Sequence, residues 1–314
     1  MTNPNTAACL MGALVADAAA LGLHWIYDPA RIAALADSHG SAAFVPLDPA
    51  NFEGVPAYFA HGARQNGALT QYGEVLGLAI RSLNTARPLN ASAYQSAYAA
   101  RFGPGGAYVG YIDRVMRGTL ANMAAGQTDP SGIDDDQLPA VAALPAVIVA
   151  HLHAPDLSDI VAKAIRMTNV NDTAHSHGMA FAGLLTLVLH GKPLQTALRS
   201  TAETALKDLG TALRAALADT GTSTDYGEVT GRACHLPMAL PLCFHILARA
   251  ESFAGAVEAN IRAGGDSAGR AIIIGAVMGA VHGIGAQGIP TDHLLRMHDG
   301  AALWQACQTL AATA

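Results

Sequence analysis

Gly264-Gly265-Asp266-Ser267-Ala268-Gly269-Arg270 runs into Ala271-Ile272-Ile273-Ile274-Gly275-Ala276-Val277-Met278-Gly279-Ala280, and this stretch decides the reading of the whole chain. Two glycines make a tight turn, and an acid or hydroxyl then stands at the mouth of a long apolar helix. The first turn of a helix exposes backbone N–H groups, so Asp266 or Ser267 suits the cap. Capping explains Asp266 but not Arg270, because a cation at the mouth of a buried helix is costly without a partner. Asp266 and Arg270 are four residues apart on one helix face, which predicts contact between them.

From Ala271 to Ile289 only His282 and Gln287 interrupt the apolar run, so a membrane span has to be weighed. Gly275, Gly279 and Gly283 recur at spacing four, which lets two helices approach closely in lipid or in a protein core. Asp266 and Arg270 lie directly ahead of the run, Gly285 and Gly288 loosen its end, and no second span exists. A buried helix of a soluble protein is the better reading.

Outward from that helix, alanine dominates and β-branched alternation is nearly absent. Apolar residues at three- and four-residue spacing predict helices over 6–23, 69–85, 91–101, 108–125, 137–151, 157–168, 173–190, 193–219, 231–250, 253–262, 267–283 and 291–310. Breaks fall where Gly, Pro, Asn and Asp cluster, as in Gln127-Thr128-Asp129-Pro130-Ser131-Gly132. Only Ala43–Pro46 hints at a strand. The segment from Ser38 to Gly67 is the longest without helical period, and loops of that length usually serve function. No linker or compositional shift divides the chain, so one all-α domain over residues 1–314 is expected.

The hydrophobic fraction is 51% and the charged fraction 13%, about half the usual charged share. A large interior or a homo-oligomer interface follows from that balance. The net charge of −6 and the scattered 18 Lys and Arg offer no track for nucleic acid. Cys9, Cys234, Cys243 and Cys307 form no C-x-x-C pair and sit in apolar stretches, as reduced thiols do. The opening residues carry no basic segment ahead of the first apolar run, so a cytoplasmic location is expected.

Five further constellations carry polar residues. Asp17 stands alone in an apolar helix, and His24 follows seven residues later, two turns along the same face. A structural network is as good a reading of that pair as a catalytic wall. Thr70-Gln71-Tyr72-Gly73-Glu74-Val75-Leu76-Gly77 recurs at Thr224–Gly231 with six of eight positions identical. Two Thr-capped helix entries explain the echo better than duplication. In Thr168–His177, Asn171 and Asp172 lie in a dense polar run that predicts a helix–helix loop contributing to a pocket. His175 and His177 point apart on a helix and make a poor metal pair. Cys234 beside His235 could be a low-pKa thiolate, although a buried structural cysteine is the commoner case. Asp134-Asp135-Asp136 reads as a solvated helix start.

Three of these stretches together resemble the ADP-ribosylglycohydrolase family, near both ends of the chain: Gly12 to Pro29, Gly67 to Gly73, and Gly264 to Ala280. Leu23-His24-Trp25-Ile26-Tyr27-Asp28, Thr70-Gln71-Tyr72-Gly73-Glu74 and Gly110-Tyr111-Ile112-Asp113 are similar to its J1-crystallin and selenoprotein J branch, which includes lens structural proteins. The resemblance implies a compact orthogonal multi-helix bundle. It also implies a pocket for an ADP-ribose-like or other nucleoside-like small molecule, whose N- or O-glycosidic bond is hydrolysed. In family members with hydrolase activity, Thr-Asp-Asp and Asp-x-Asp-Thr runs hold two Mg²⁺ ions. This chain keeps Thr70 and Asp266 but has Gln71, Tyr72, Ala268 and Gly269 at the other positions, and His24 where an acid is expected. No cofactor is therefore expected, and Mg²⁺ only if Thr70 and Asp266 still hold one ion. The resemblance assigns catalysis to Asp17, Asp266 and His24. It assigns ligand binding to Thr70, Gln71, Tyr72, Glu74, Asn171, Asp172, Ser267 and Arg270, with Arg270 replacing the lost metal charge beside Asp17 and Asp266. The alternative is a non-catalytic binding or crystallin-like structural protein.

Overall fold

The computed structural model describes residues 4–313, and among these the fold is all-α, with only isolated bridges between extended residues. The strand hinted at Ala43–Pro46 does not form; Phe44 there has a left-handed backbone, which breaks an extended run.

Two helices make the centre, Thr6–Ala20 and Ser267–His282. Almost every residue of both is buried, so neither has a polar stripe to present to water. They meet backbone to backbone. A Cβ added at Gly275 would lie 2.3 Å from the Gly12 carbonyl oxygen, and one at Gly279 would lie 2.2 Å from that of Ala8. The fourfold glycine spacing thus serves a helix crossing inside the core. The apolar run ends at His282, where Gly283 takes a positive φ of 66°. Among the described residues it is Thr6–Leu23, not the shorter Ser267–His282, that is long and apolar enough for a span, contrary to expectation, and it is 94% buried within the fold. The buried apolar residues from Ala8 to Leu310 form one contiguous cluster.

Several boundaries move from their expected places. Pro29–His39 is a helix that was not expected, just ahead of the irregular segment; Asp28 caps Arg31 N, Pro29 opens the helix, and Gly40 closes it at φ 77°. The helix expected over 137–151 divides into Pro139–Ala142 and Leu144–Ala150, because Pro145 has no N–H to give the preceding turn. The one expected over 193–219 divides into Leu194–Thr204 and Lys207–Ala218, at a break where no Gly or Pro signals it. Helix also begins later than expected at Arg114, capped by Asp113, and at Leu236. The run 291–310 divides into Thr291–Arg296 and Gly300–Ala312.

The echo resolves into two different entries. Thr70 caps Gln71–Thr85 and accepts from Tyr72 N, but in the second copy the cap is Thr222, and Thr224 lies inside Ser223–Thr230.

Candidate functional site

Asp17 projects from the last turn of the first helix with no exposure and reaches the N-terminus of Gln71–Thr85. Its Oδ2 accepts from Thr70 N at 2.8 Å, and its Oδ1 from the Thr70 hydroxyl at 2.5 Å. A Cβ at Gly73 would lie 2.4 Å from Asp17 Oδ2, so only glycine leaves the carboxylate room beneath this turn. Burial lifts the Asp17 pKa to about 7, although the Thr70 and Gly73 hydrogen bonds pull it back.

The turn at Gly264 and Gly265, both with positive φ, delivers Asp266 to the same place from the other end of the chain. Asp266 Oδ1 accepts from Gly269 N at 2.9 Å as the helix cap and meets His24 Nε2 at 2.8 Å. Its Oδ2 accepts from the Tyr72 hydroxyl at 2.8 Å. Burial alone would raise the Asp266 pKa, but the adjacent His24 and the hydrogen bonds from Tyr72 and Gly269 hold it below the ordinary carboxylate value. Burial and the Asp266 charge push the Tyr72 hydroxyl far upward, so it remains a donor.

His24 is not on a face of the first helix as expected. That helix ends at Ala20, a short 3₁₀ turn follows over Leu21–Leu23, and His24 itself is extended. This bend carries the imidazole away from Asp17 and onto Asp266. Its Nδ1 meets Nε2 of His61 at 2.7 Å. With both rings neutral, one tautomer satisfies every contact: His24 donates from Nε2 to Asp266 and accepts at Nδ1 from His61 Nε2–H. His61 Nδ1 is then a lone pair, and it is buried without a protein partner. Burial, with the adjacent His24 ring adding to it, lowers the His61 pKa well below the ordinary imidazole value.

Aromatic rings surround this run. Trp25, held at φ 67°, stacks on His24 with centroids 4.2 Å apart and on His61 at 5.7 Å. A left-handed backbone at a residue this bulky is rare and strained, and such residues cluster at functional sites. Tyr111 meets the Trp25 ring edge-on at 5.0 Å, and Tyr58 packs on both. The segment bearing Tyr58 and His61 is pinned by Tyr27 N to Pro56 O and by Tyr58 N to Trp25 O.

Other expected site residues take different places. Gln71 is fully buried, and neither its amide nitrogen nor its oxygen has a protein partner. Glu74 is not free to act as a base, because Arg64 and Arg101 both bind its carboxylate. Ser267 is buried with its hydroxyl unpartnered, and its carbonyl accepts from Asn260. Asn171 caps Asp172–Leu189 through Thr173 N and Ala174 N, and its amide reaches Asp134 at 2.7 Å. Asp172 lies with it along a polar cleft also lined by Asn169 and His175.

Arg270 is fully buried as expected but does not pair with Asp266. It donates to Asn260 Oδ1 at 2.9 Å, Asn260 O at 3.2 Å, Gly264 O at 2.5 Å and Arg232 O at 3.1 Å. The guanidinium is committed to Asn260, Gly264 and Arg232, and His24 with Tyr72 faces Asp266 instead. Arg270 therefore does not form the ion pair expected beside Asp266.

Cys234 is half-buried, and burial together with the Asp266 charge raises its thiol to about 12, the opposite of an activated thiolate. His235 turns to Asp136 at 2.6 Å. Asp134, Asp135 and Asp136 do not start a helix: they bind Asn171, Arg114 and His235 respectively, and Asp135 is buried. Asp113 caps Met116 N, and burial raises its pKa to about 6. Its second oxygen is buried without a protein partner.

The donors at Thr70 and Asp266 do not suit Mg²⁺, which demands near-octahedral hard oxygen ligands. The Thr70 hydroxyl is spent on Asp17, and both Asp266 oxygens already accept from His24, Tyr72 and Gly269. Among the described residues no three His, Cys, Asp or Glu side chains converge as ligands.

His61 was not legible from the sequence, since it lies in a loop without period. Its presence amid Trp25, Tyr58 and Tyr111 was signalled only by the aromatic and histidine content of a long irregular segment.

Comparison with known proteins is consistent across three measures. A family profile described as ADP-ribosylglycohydrolase matches residues 4–314. Crystallin J1A of Tripedalia cystophora is 26% identical over 96% of this chain and 95% of its own length. Crystallin J1B of the same organism is 24% identical over 92% of this chain and 90% of its own. A solved structure described as an ADP-ribosylglycohydrolase-related protein complex superposes with a TM-score of 0.71 at 18% identity. It covers 99% of this chain and 98% of that one, and the likeness is one of fold.

Proposed function

The chain belongs to the ADP-ribosylglycohydrolase family, and on that premise we propose that it is a single-domain hydrolase of an N- or O-glycosidic bond in an ADP-ribose-like or nucleoside-like ligand, working without the two-Mg²⁺ centre. The observation that carries the proposal is the run Asp266–His24–His61, which ends on an unpartnered, buried imidazole nitrogen. A general base needs a free lone pair and a neutral resting state, and His61 has both. On taking a proton from attacking water at Nδ1, His61 passes its Nε2 proton to His24. The resulting imidazolium then lies 2.8 Å from the Asp266 carboxylate. Asp17 acts at one remove: through Thr70 and Gly73 it fixes the turn that carries Gln71 and Tyr72. Gln71, with both amide atoms unpartnered, is the group best placed to bind a polar ligand.

A second reading has its own support. The full-length relatives named above are crystallins, and His24, His61 and Asp266 are at most 1% exposed. A protein that binds a ligand or packs densely without turnover would share both features. Calorimetric titration with ADP-ribose, followed by an assay for cleavage of ADP-ribosyl N- and O-glycosides, separates the two. Saturable binding with cleavage supports the hydrolase, and binding without cleavage supports the second reading. No binding in wild type and in Gln71→Ala alike would overturn both ligand-based readings.

A further inference from the structure

A cleft of about 440 Å³ is lined by Arg64, Arg81 and Arg101. Its acidic groups are Glu74 and Asp299, so the formal balance of these five side chains is +1 (three arginines less two acids). The guanidinium groups are not equally committed. Arg64 gives donors to Leu69 O, Val109 O and Glu74. Arg101 gives Nε and Nη2 to Glu74 and leaves Nη1. Arg81, at the exposed rim, makes no side-chain hydrogen bond or ion pair among the described residues. The charges of Arg101 and Glu74 both act on it.

Glu74 therefore holds Arg64 and Arg101 in fixed positions from below, with its own charge already answered twice. Arg81 and the free edge of Arg101 offer further N–H donors to the cleft. Guanidinium groups bind phosphate with two parallel hydrogen bonds each, and a pre-positioned fork loses less freedom on binding. Part of the wall is apolar, formed by Leu69, Ala302, Leu303 and Ala306. A phosphate alone would leave that wall in water, whereas the phosphoryl end of a larger molecule would set its apolar part there.

We propose that this cleft is an anion site that takes a phosphoryl group between Arg81 and Arg101, separate from the Asp266–His24–His61 run. It does not depend on the hydrolase reading, because none of its guanidinium groups touches that run. Bound anion would also answer the mutual repulsion of Arg81 and Arg101, which now rests on Glu74 and Asp299 alone.

The test is calorimetric titration of the full chain with inorganic phosphate and with phenyl phosphate, against sodium chloride of matched ionic strength. Wild type should show saturable binding, tighter for phenyl phosphate. Arg81→Gln, a rim substitution, should keep the wild-type circular dichroism and melting temperature yet bind about tenfold or more weakly, as expected for loss of a charge-assisted bidentate contact. Arg81→Lys should recover part of the affinity, since it restores charge but not the planar fork. A heat signal that fails to saturate, or equal affinity in Arg81→Gln and wild type, would overturn the proposal.

Discussion

His24 stands between Asp266 and His61, 2.8 Å from the carboxylate through Nε2 and 2.7 Å from the second imidazole through Nδ1. All three side chains are buried, so each depends on the others to satisfy its polar atoms. His24→Ala leaves a buried carboxylate short of one donor and a buried imidazole short of an acceptor. Leaving a buried polar group without its hydrogen-bond partner costs about 1–3 kcal/mol for each group, more for a carboxylate. Urea denaturation should show a loss of that order, with Tyr72→Phe losing less, because it removes only one hydrogen bond.

The pH dependence of stability should carry two opposed contributions. His61 has a folded pKa below its unfolded value, so the unfolded chain binds a proton first as pH falls. Its contribution is complete above about 6.5 and is lost as the pH falls below that value. Asp17 has its pKa raised to about 7. Between its ordinary value and 7 the folded state holds the extra proton, so this contribution is lost as pH rises through that window. Melting curves should therefore lose acid sensitivity below pH 6.5 in His61→Gln. In Asp17→Asn they should lose the decline between about pH 4 and 7. Each slope amounts to at most about 1.4 kcal/mol per pH unit. Unchanged slopes in both variants would refute the two assignments.

Arg270 should prove structural. Its four donor contacts hold the carbonyls of Arg232 and Gly264 and both the side chain and backbone of Asn260. Arg270→Ala should destabilise by about 3–5 kcal/mol, since buried acceptors are left unpaired. Arg270→Lys should recover only part, because an ammonium cannot span a planar set of acceptors. Chemical denaturation of the two variants decides it; losses below about 1 kcal/mol in both would contradict the contact pattern.

The central seam gives a sharper steric expectation. At Gly275 an added Cβ falls 2.3 Å from the Gly12 carbonyl oxygen, an atom that cannot rotate away. Gly275→Ala must separate the two central helices and should cost about 1–3 kcal/mol or more, as overpacking does. Gly183→Ala, with nothing within 4 Å of the added Cβ, is the control and should be neutral or slightly stabilising. Differential scanning calorimetry of the pair reads the contrast directly.

What the sequence made legible follows from what is local. The Ser267–His282 helix, its cap at Asp266 and its fourfold glycines are written in consecutive residues, so apolarity and spacing reveal them. The Asp17–Thr70 contact spans 53 residues, and only the family resemblance pointed to it. His61 contacts His24 across 37 residues of chain that include an irregular loop, where no period marks which side chain turns inward. Arg270 was correctly expected to be buried, but helix spacing suggested Asp266 as its partner. The positive-φ turn at Gly264 and Gly265 offers carbonyls instead, and backbone acceptors leave no mark in a sequence. The breaks after Thr204 and Ala142 are similar cases: the first has no Gly or Pro, and the second depends on Pro145 three residues on.

The most direct measurement of the central claim, that Asp266–His24–His61 works as a metal-free relay, is the cleavage rate of an ADP-ribosyl glycoside in EDTA. It should be taken for wild type and for His61→Gln, with ligand affinity measured alongside. Wild type should turn over undiminished by EDTA. His61→Gln should keep its affinity and lose about a hundredfold or more in rate, the usual contribution of a general base. Turnover only with added Mg²⁺, equal rates in the two proteins, or no turnover in a wild type that binds the ligand would contradict the relay.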